Sequence, residues 1–366
     1  MSAARLERYV FLRTLAGVGA ALAVISSVIL LGQFVDLSRS IGVRADVSAG
    51  DIFGLTLLKS PSVIQLLLPI VFLFGVIGAF FGLNRRSELV AMRAAGVSAW
   101  RFISPAAIAA FVAGLLAIAV VNPVSAALSA RFEADRAKIM ANYLGDLPKD
   151  IWLRQGDEHT QMVIHAKSRD TVQGEVRLRG VSLFIYQKNK AGQPEFKRRL
   201  EAAEAVLRPG FWQLKDVREA SAGESSVRSD SLSLRSTLDS EAAVERFASP
   251  DSIAFWRLPA AIRLTEQAGF SASGYRLKFQ QMLATPVLFT AMAVLAAAFS
   301  LRLARLGGLA ELAGAGVALG FVVFFFDKFA GALGRADIIP LFAAAWAPAA
   351  VALLSGLTLL CYTEDG

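Results

Sequence analysis

Residues 60–96 read SPSVIQLLLPIVFLFGVIGAFFGLNRRSELVAMRAAG, and this stretch decides the fold. From Ser60 to Leu83 no charged residue occurs. A run of about 20 apolar residues is what a helix needs to cross a hydrocarbon layer. It must be helical, because lipid offers the backbone no hydrogen-bond partners. The run breaks abruptly into Asn84-Arg85-Arg86-Ser87-Glu88. Ser87 is a favoured N-cap, Glu88 suits the positive end of a helix, and Gly96 suits the C′ stop. The spacing predicts a short helix between them, of about two turns and too short to be stable alone. Leu89, Met92 and Arg93 would share one of its faces at i, i+3, i+4 spacing.

Five more runs of this kind flank the first: Phe11 to Val35, Phe102 to Ala130, Phe279 to Leu301, Leu306 to Phe326, and Ile338 to Tyr362. With 55% hydrophobic residues and a mean hydropathy of +0.51, the chain belongs to the membrane class. Thr14 to Val35 is too long for a signal h-region of about 7–15 residues, so the first run is an uncleaved span. The net charge of +8 does not point to nucleic acid, because much of the arginine sits beside apolar runs. Arg5, Arg8 and Arg13 precede the first span. Arg85, Arg86, Arg93 and Arg101 lie between the second and third, and Arg302 and Arg305 between the fourth and fifth. All three groups share one side only if both termini are cytoplasmic, as an even span count requires.

The fold class expected is therefore a six-helix membrane protein with an inserted periplasmic all-β jellyroll or sandwich. Residues 1–130 hold three spans and the short cytoplasmic helix at about 85–97. Residues 131–250 form the β-domain, 251–274 a weakly amphipathic linker helix, and 275–366 the last three spans. Within the insert, Gln161–Ala166, Val181–Tyr186, Phe211–Val217 and Ser225–Leu234 show β-rich composition and partial alternation. Gly174, Asn189, Pro209-Gly210 and Gly223 mark turns between them.

No G-x-x-x-x-G-K-[ST] loop occurs, so the chain is not its own ATPase by that mechanism. Both histidines, His159 and His165, fall in the β-domain, and Cys361 is the single cysteine. These residues suggest neither a metal site nor a catalytic group, and no cofactor is expected. Arg39 and Arg44 follow the first span, the position of an ordinary interfacial arginine. Glu311, near the start of the fifth span, is within one turn of the polar boundary. Asp327 and Lys328 end the same span, where each is expected to pair with another helix. Gly316 and Gly320 make a small-residue face for close helix packing, against a partner subunit if one is present.

Ser60-Pro61 through Pro69, then Asn84 to Gly96, resemble the LptF/LptG (YjgP/YjgQ) family of permeases. So does the plan of three spans, a β-domain and three more spans. Phe34-Val35-Asp36, Ile151-Trp152-Leu153 and Phe324-Phe325-Phe326-Asp327 resemble its LptG branch more than LptF. The resemblance implies a transport subunit rather than an enzyme. It would form a heterodimer with a sister permease on a cytoplasmic ABC ATPase dimer, take lipopolysaccharide from the inner membrane, and pass it to a periplasmic jellyroll bridge protein. It implies ATPase coupling through the segment holding Glu88, Leu89, Met92 and Arg93, and lipid-headgroup contact through Arg39 and Arg44. The family's pattern has more cations after the first span than occur here. Rival readings are the sister LptF-type subunit, a lipoprotein-releasing permease, an ion-driven secondary transporter and a membrane sensor. The six spans, the presence of Glu311 as the only weak candidate for an embedded ionisable site, and the short cytoplasmic segments argue against the last three in turn.

Overall fold

The computed structural model describes residues 3–42, 47–144, 151–156, 160–172, 175–188, 194–208, 210–221, 226–236, 253–267, 271–303 and 309–364. Among them, six helical stretches are long and apolar enough to cross a membrane: Arg5–Ile41, Ala49–Arg85, Ala99–Ile139, Ser273–Leu301, Gly314–Arg335 and Leu341–Tyr362. The elements in chain order begin with α1 (Ala3–Leu37), which ends in a π-helical turn at Ser38–Gly42. Then come α2 (Ala49–Arg85), the short α3 (Glu88–Ala94) and α4 (Ala99–Leu116). A π-helical turn at Ala117–Val121 leads into α5 (Asn122–Leu144). After the strands follow α6 (Leu258–Gln267), α7 (Ser273–Leu303), α8 (Leu309–Arg335) and α9 (Leu341–Glu364). The chain divides into two compact units. One comprises residues 1–136, 254–256 and 276–366, and the other residues 137–253 and 257–275.

In the helical unit, small residues set how closely the spans approach. A Cβ at Gly17 would collide with the carbonyl oxygen of Gly75, and one at Gly75 with the backbone of Val18. This is the small-residue crossing by which helices associate in lipid, where no hydrophobic force draws them together. Gly114 plays the same part for α4 against α7, since its Cβ would lie 2.5 Å from Pro286 Cα. Around these crossings a buried cluster gathers Phe72, Val76, Phe80, Phe102, Phe289 and the alanine-rich run Ala291 to Ala298. Asn122, buried at the π-helical turn, accepts the Phe255 N–H at 2.7 Å and so satisfies a backbone donor beside the spans.

The β unit holds six strands: β1 (Ile151–Gly156), β2 (Thr160–Val172), β3 (Glu175–Lys188), β4 (Pro194–Arg208), β5 (Phe211–Ser221) and β6 (Val227–Arg235). They form one antiparallel sheet in sequential order. The enclosed interior expected of a sandwich arises here from a bend within this sheet. On β3, Val176 and Leu178 are buried, and so are Val181, Leu183 and Ile185. The inward parity therefore switches at Arg179-Gly180. The same switch recurs at Ala203-Glu204 on β4, between Ala202 and Ala205, and at Lys215-Asp216 on β5, between Leu214 and Val217. Register places these pairs side by side: Arg179 opposes Glu204, and Glu204 opposes Lys215. Gly180 (φ 59) and Asp216 (φ 51) supply left-handed backbone on this line. Two adjacent outward residues per strand bend the sheet towards its apolar face. Both halves then contribute to one core, from Ile164 and Leu200 to Trp212 and Leu214.

β4 carries no strand signal in its own composition. Its sequence, PEFKRRLEAAEAVLR, is rich in helix formers, and pairing with β3 and β5 along its length overrides that preference. Trp212 is fully buried in the shared core. Trp212→Ala is expected to cost about 3–5 kcal/mol and to open the sheet. Limited proteolysis of the full chain should then cut within 160–235 at protease levels that spare the wild type; an unchanged digestion pattern would contradict this core.

Two boundaries differ from expectation. The third span does not stop near Ala130, because α5 continues to Leu144 through good helix formers. The fifth does not stop at Phe326: α8 runs on to Arg335. Asp327 and Lys328, expected to end it and to pair with other helices, are interior to it and bond to each other, Nζ to Oδ2 at 3.3 Å. Lys328 Nζ also lies 5.2 Å from the Phe324 ring centroid. A charge neutralised by its neighbour and covered by an aromatic face need not terminate a helix.

Candidate functional site

The segment after α2 folds as the spacing requires, with one change in how it is capped. Ser87 does not cap α3 with its side chain. Its backbone is left-handed (φ 58) and its N–H donates to the Asn84 carbonyl at 2.8 Å. The chain thus turns sharply between α2 and α3, and a side-chain cap is replaced by a backbone turn. The C-terminal stop is as expected. Gly96 (φ 75) donates to the Arg93 carbonyl at 2.9 Å and Val97 to the Met92 carbonyl at 3.1 Å. This is a Schellman motif, which satisfies the last carbonyls of so short a helix.

Glu88 is the residue that this geometry singles out. The Tyr9 hydroxyl donates to Glu88 Oε2 at 2.8 Å, and Arg13 Nε donates to the Tyr9 oxygen at 3.0 Å. Arg13 also lies 5.2 Å from the Tyr9 ring centroid. One helix further on, Arg101 of α4 pairs with Glu7 at 3.3 Å. The first turns of α1 are thereby clipped to both α3 and α4, which composition and spacing do not announce.

Leu89 and Met92, grouped with Arg93 on one face, turn inwards. Leu89 is buried in the cluster that contains Val10, Leu83, Ala99 and Phe102, and Met92 packs against it. Arg93 is partly buried. The outward face carries Val90, 61% exposed, with Ala91 and Ala94, and Trp100 is exposed just beyond. A helix anchored in this way cannot shift without moving the spans beneath it.

The second group of expected residues lies at the other end of α1. Tyr9 and Arg39 are thirty residues apart, about 45 Å along a helix axis. Arg39 sits exposed on the π-helical turn Ser38–Gly42. Arg44 lies outside the described residues. A cation not singled out by the sequence reading stands nearby: Lys59 of α2 is 4.0 Å from Asp36 and 5.6 Å from the Phe132 ring centroid. It had no sequence signal of its own, because only the folded chain brings α2 beside the end of α1.

Gly316 and Gly320 are engaged within the chain. A Cβ at Gly316 would lie 2.7 Å from Ile77 Cδ1, and one at Gly320 3.0 Å from Leu73 Cδ2. The small-residue face offered to a partner subunit is thus occupied by α2, whose branched side chains fill it. Glu311 falls in the first turn of α8, and its side chain is outside the described residues.

With this geometry in view, the comparisons with known proteins agree on one kind of molecule. The family model described as "Lipopolysaccharide export system permease LptF/LptG" matches residues 8–362. The chain is also 24% identical over 321 residues to the "Lipopolysaccharide export system permease protein LptG" of Escherichia coli K12, covering 83% of this chain and 84% of that protein. The same values hold for the protein of that name in Escherichia coli O6:H1 strain CFT073. A match running from Arg8 to the end of the sixth span takes in Tyr9 and Arg39 of the first, α3, the bent sheet and every span: the chain belongs to the LptF/LptG family of lipopolysaccharide export permeases.

Proposed function

We propose that this chain is the LptG-type permease subunit of an inner-membrane ABC transporter that extracts lipopolysaccharide and passes it to a periplasmic bridge. Both termini and α3 would face the cytoplasm, and the bent sheet the periplasm. This orientation is supported by the arginines at Arg5, Arg8, Arg85 and Arg86, all at one end of their spans. The LptG reading, rather than LptF, is supported by the names of the two relatives.

The observation that carries the proposal is the build of α3. Its inward residues, Leu89 and Met92, are part of the transmembrane core, while Val90, Ala94 and Trp100 remain outside. That is the form required of a coupling helix: an outer face for a cytoplasmic ATPase dimer, and an inner face that carries its movement into the spans. Glu88 and Arg93 would complete the docking edge. At the opposite end, Arg39 with Arg44 would receive the phosphates of the lipid, aided by Lys59. α1 is the span least covered by the rest of the chain, with 6% of its apolar window buried, and α8 follows at 22%. Their open faces, with Val24, Val28 and Leu31 on one and Val317, Phe321 and Phe325 on the other, are where the sister permease and the acyl chains would be received. The apolar interior of the sheet would shelter the chains further on, and its edge strands suit pairing with another jellyroll.

Photo-crosslinking tests this reading. A crosslinker at Val90 should capture a soluble ATPase, and crosslinkers at Arg39 and Leu200 should capture lipopolysaccharide, the second only when ATP is supplied. Capture at Leu200 that is equally strong without ATP would leave a binding protein rather than an exporter. Purification without any ATPase subunit would exclude the ABC assignment.

A further inference from the structure

Beside the Arg13–Tyr9–Glu88 chain, a cavity of about 200 Å³ opens between α1 and α2. Arg13 and Gly17 line it from α1; Gly78, Ala79 and Gly82 line it from α2; and Arg86, just past the end of α2, lines it as well. The close crossing of Gly17 on Gly75 brings the two helices together on one side of it. Towards the cavity the packing is loose instead, because a Cβ added at Gly78 or Gly82 would meet nothing within 4 Å. The structure pairs neither arginine with a carboxylate among the described residues. Among the described residues Arg13 uses its Nε–H, on the Tyr9 oxygen, so its terminal amino groups have donors to spare. Two guanidinium groups at the mouth of a gap between spans make a site for an anion, and phosphate is the anion that their forked donors match.

We infer that this cavity binds the phosphate of an anionic glycerophospholipid, drawn from the leaflet on the α3 side of the membrane. A lipid fits better than a soluble phosphate for a reason of place. The pocket interrupts the apolar surface of two spans, and its α1 wall continues into Leu12 and Leu15, 52% and 44% exposed, which would lie along acyl chains. Basic pockets between spans near the membrane surface hold anionic headgroups in this way. The bound phosphate would also fix Arg13, and through Tyr9 it would steady Glu88, so the lipid composition of that leaflet would be felt at α3. The site is separate from Arg39 at the far end of α1, and it stands whether or not the transport reading does.

The test uses the full-length chain in detergent and native mass spectrometry. Phosphatidylglycerol and phosphatidylcholine of identical acyl chains are titrated separately. The first phosphatidylglycerol should bind at least about tenfold more tightly than phosphatidylcholine. The double variant Arg13→Gln/Arg86→Gln should lose this preference. Gly82→Leu, whose Cβ meets nothing within 4 Å and whose longer side chain would occupy the cavity, should lose it too while keeping the wild-type thermal midpoint. Equal binding of the two lipids, or full phosphatidylglycerol preference in Gly82→Leu, would overturn the proposal. Displacement of the lipid by millimolar inorganic phosphate would overturn the lipid assignment and leave a soluble-phosphate site.

Discussion

Glu88→Arg is expected to reach the membrane at the wild-type level, to lose the proposed ATPase partner on purification, and to fail to sustain growth where the gene is essential. The reversal acts twice. It removes the acceptor of the Tyr9 hydroxyl, and it sets a cation beside Arg85, Arg86 and the positive end of α3. Any basic groove that receives the carboxylate would then repel the helix. Truncating one partner of a close charge pair at an interface costs about 2–5 kcal/mol, which is at least a tenfold loss of affinity. Tyr9→Phe separates the two effects, since it removes the hydrogen bonds to Glu88 and from Arg13 and keeps the Glu88 charge. Its expected loss is about 1 kcal/mol, visible in the thermal midpoint and not in ATPase recovery. If Glu88→Arg co-purifies with the ATPase and supports growth, α3 is not the coupling helix. If Tyr9→Phe matches Glu88→Arg in every assay, Glu88 acts on α1 alone.

The second large effect is expected at the crossing of α1 and α2. Gly75→Leu should abolish recovery of folded protein. A Cβ there meets the backbone of Val18, which cannot rotate away as a side chain could, and the collision is reciprocated at Gly17. Overpacking of ordinary cores costs about 1–3 kcal/mol, and a clash with backbone in a helix crossing exceeds that range. Gly19→Leu is the control: it lies on α1, two residues from Gly17, and its Cβ would meet nothing within 4 Å. Size-exclusion profiles and thermal midpoints in detergent should separate the two variants. Similar behaviour of both would mean that α1 does not cross α2 through Gly17 and Gly75.

The comparison between expected and observed elements follows a physical line. All six spans were legible because a membrane-crossing helix must be apolar along its whole length, whatever it packs against. Their ends were less legible. Polar residues such as those of 131–144 continue a helix outside the hydrocarbon without a hydropathy signal, and Asp327 with Lys328 can sit inside a helix once they neutralise each other. In the insert, the strands that alternate apolar and polar residues were readable, while β1 and β4 were not. Residues such as Arg198, Ala202 and Ala205 become strand residues only because β3 and β5 pair with both sides of the segment. The bend in the sheet was hidden for a similar reason: a parity switch on one strand looks like noise until its neighbours switch at the same level.

The site divides along the same line. Residues 84–96 alone specify a short helix with Glu88 at its start and Gly96 at its stop, since caps and stops are read by residues within one turn. The sequence by itself therefore determined the membrane class, the number of spans, the inserted β-domain and the existence of α3. Only the tertiary structure decided which way α3 faces, that Glu88 is held by Tyr9, that Gly316 and Gly320 pack on α2, and that two arginines flank an open cavity. Hydrophobic length and capping are properties of neighbouring residues. A contact between Tyr9 and Glu88, seventy-nine positions apart, exists only after α1 and α2 have crossed at Gly17 and Gly75.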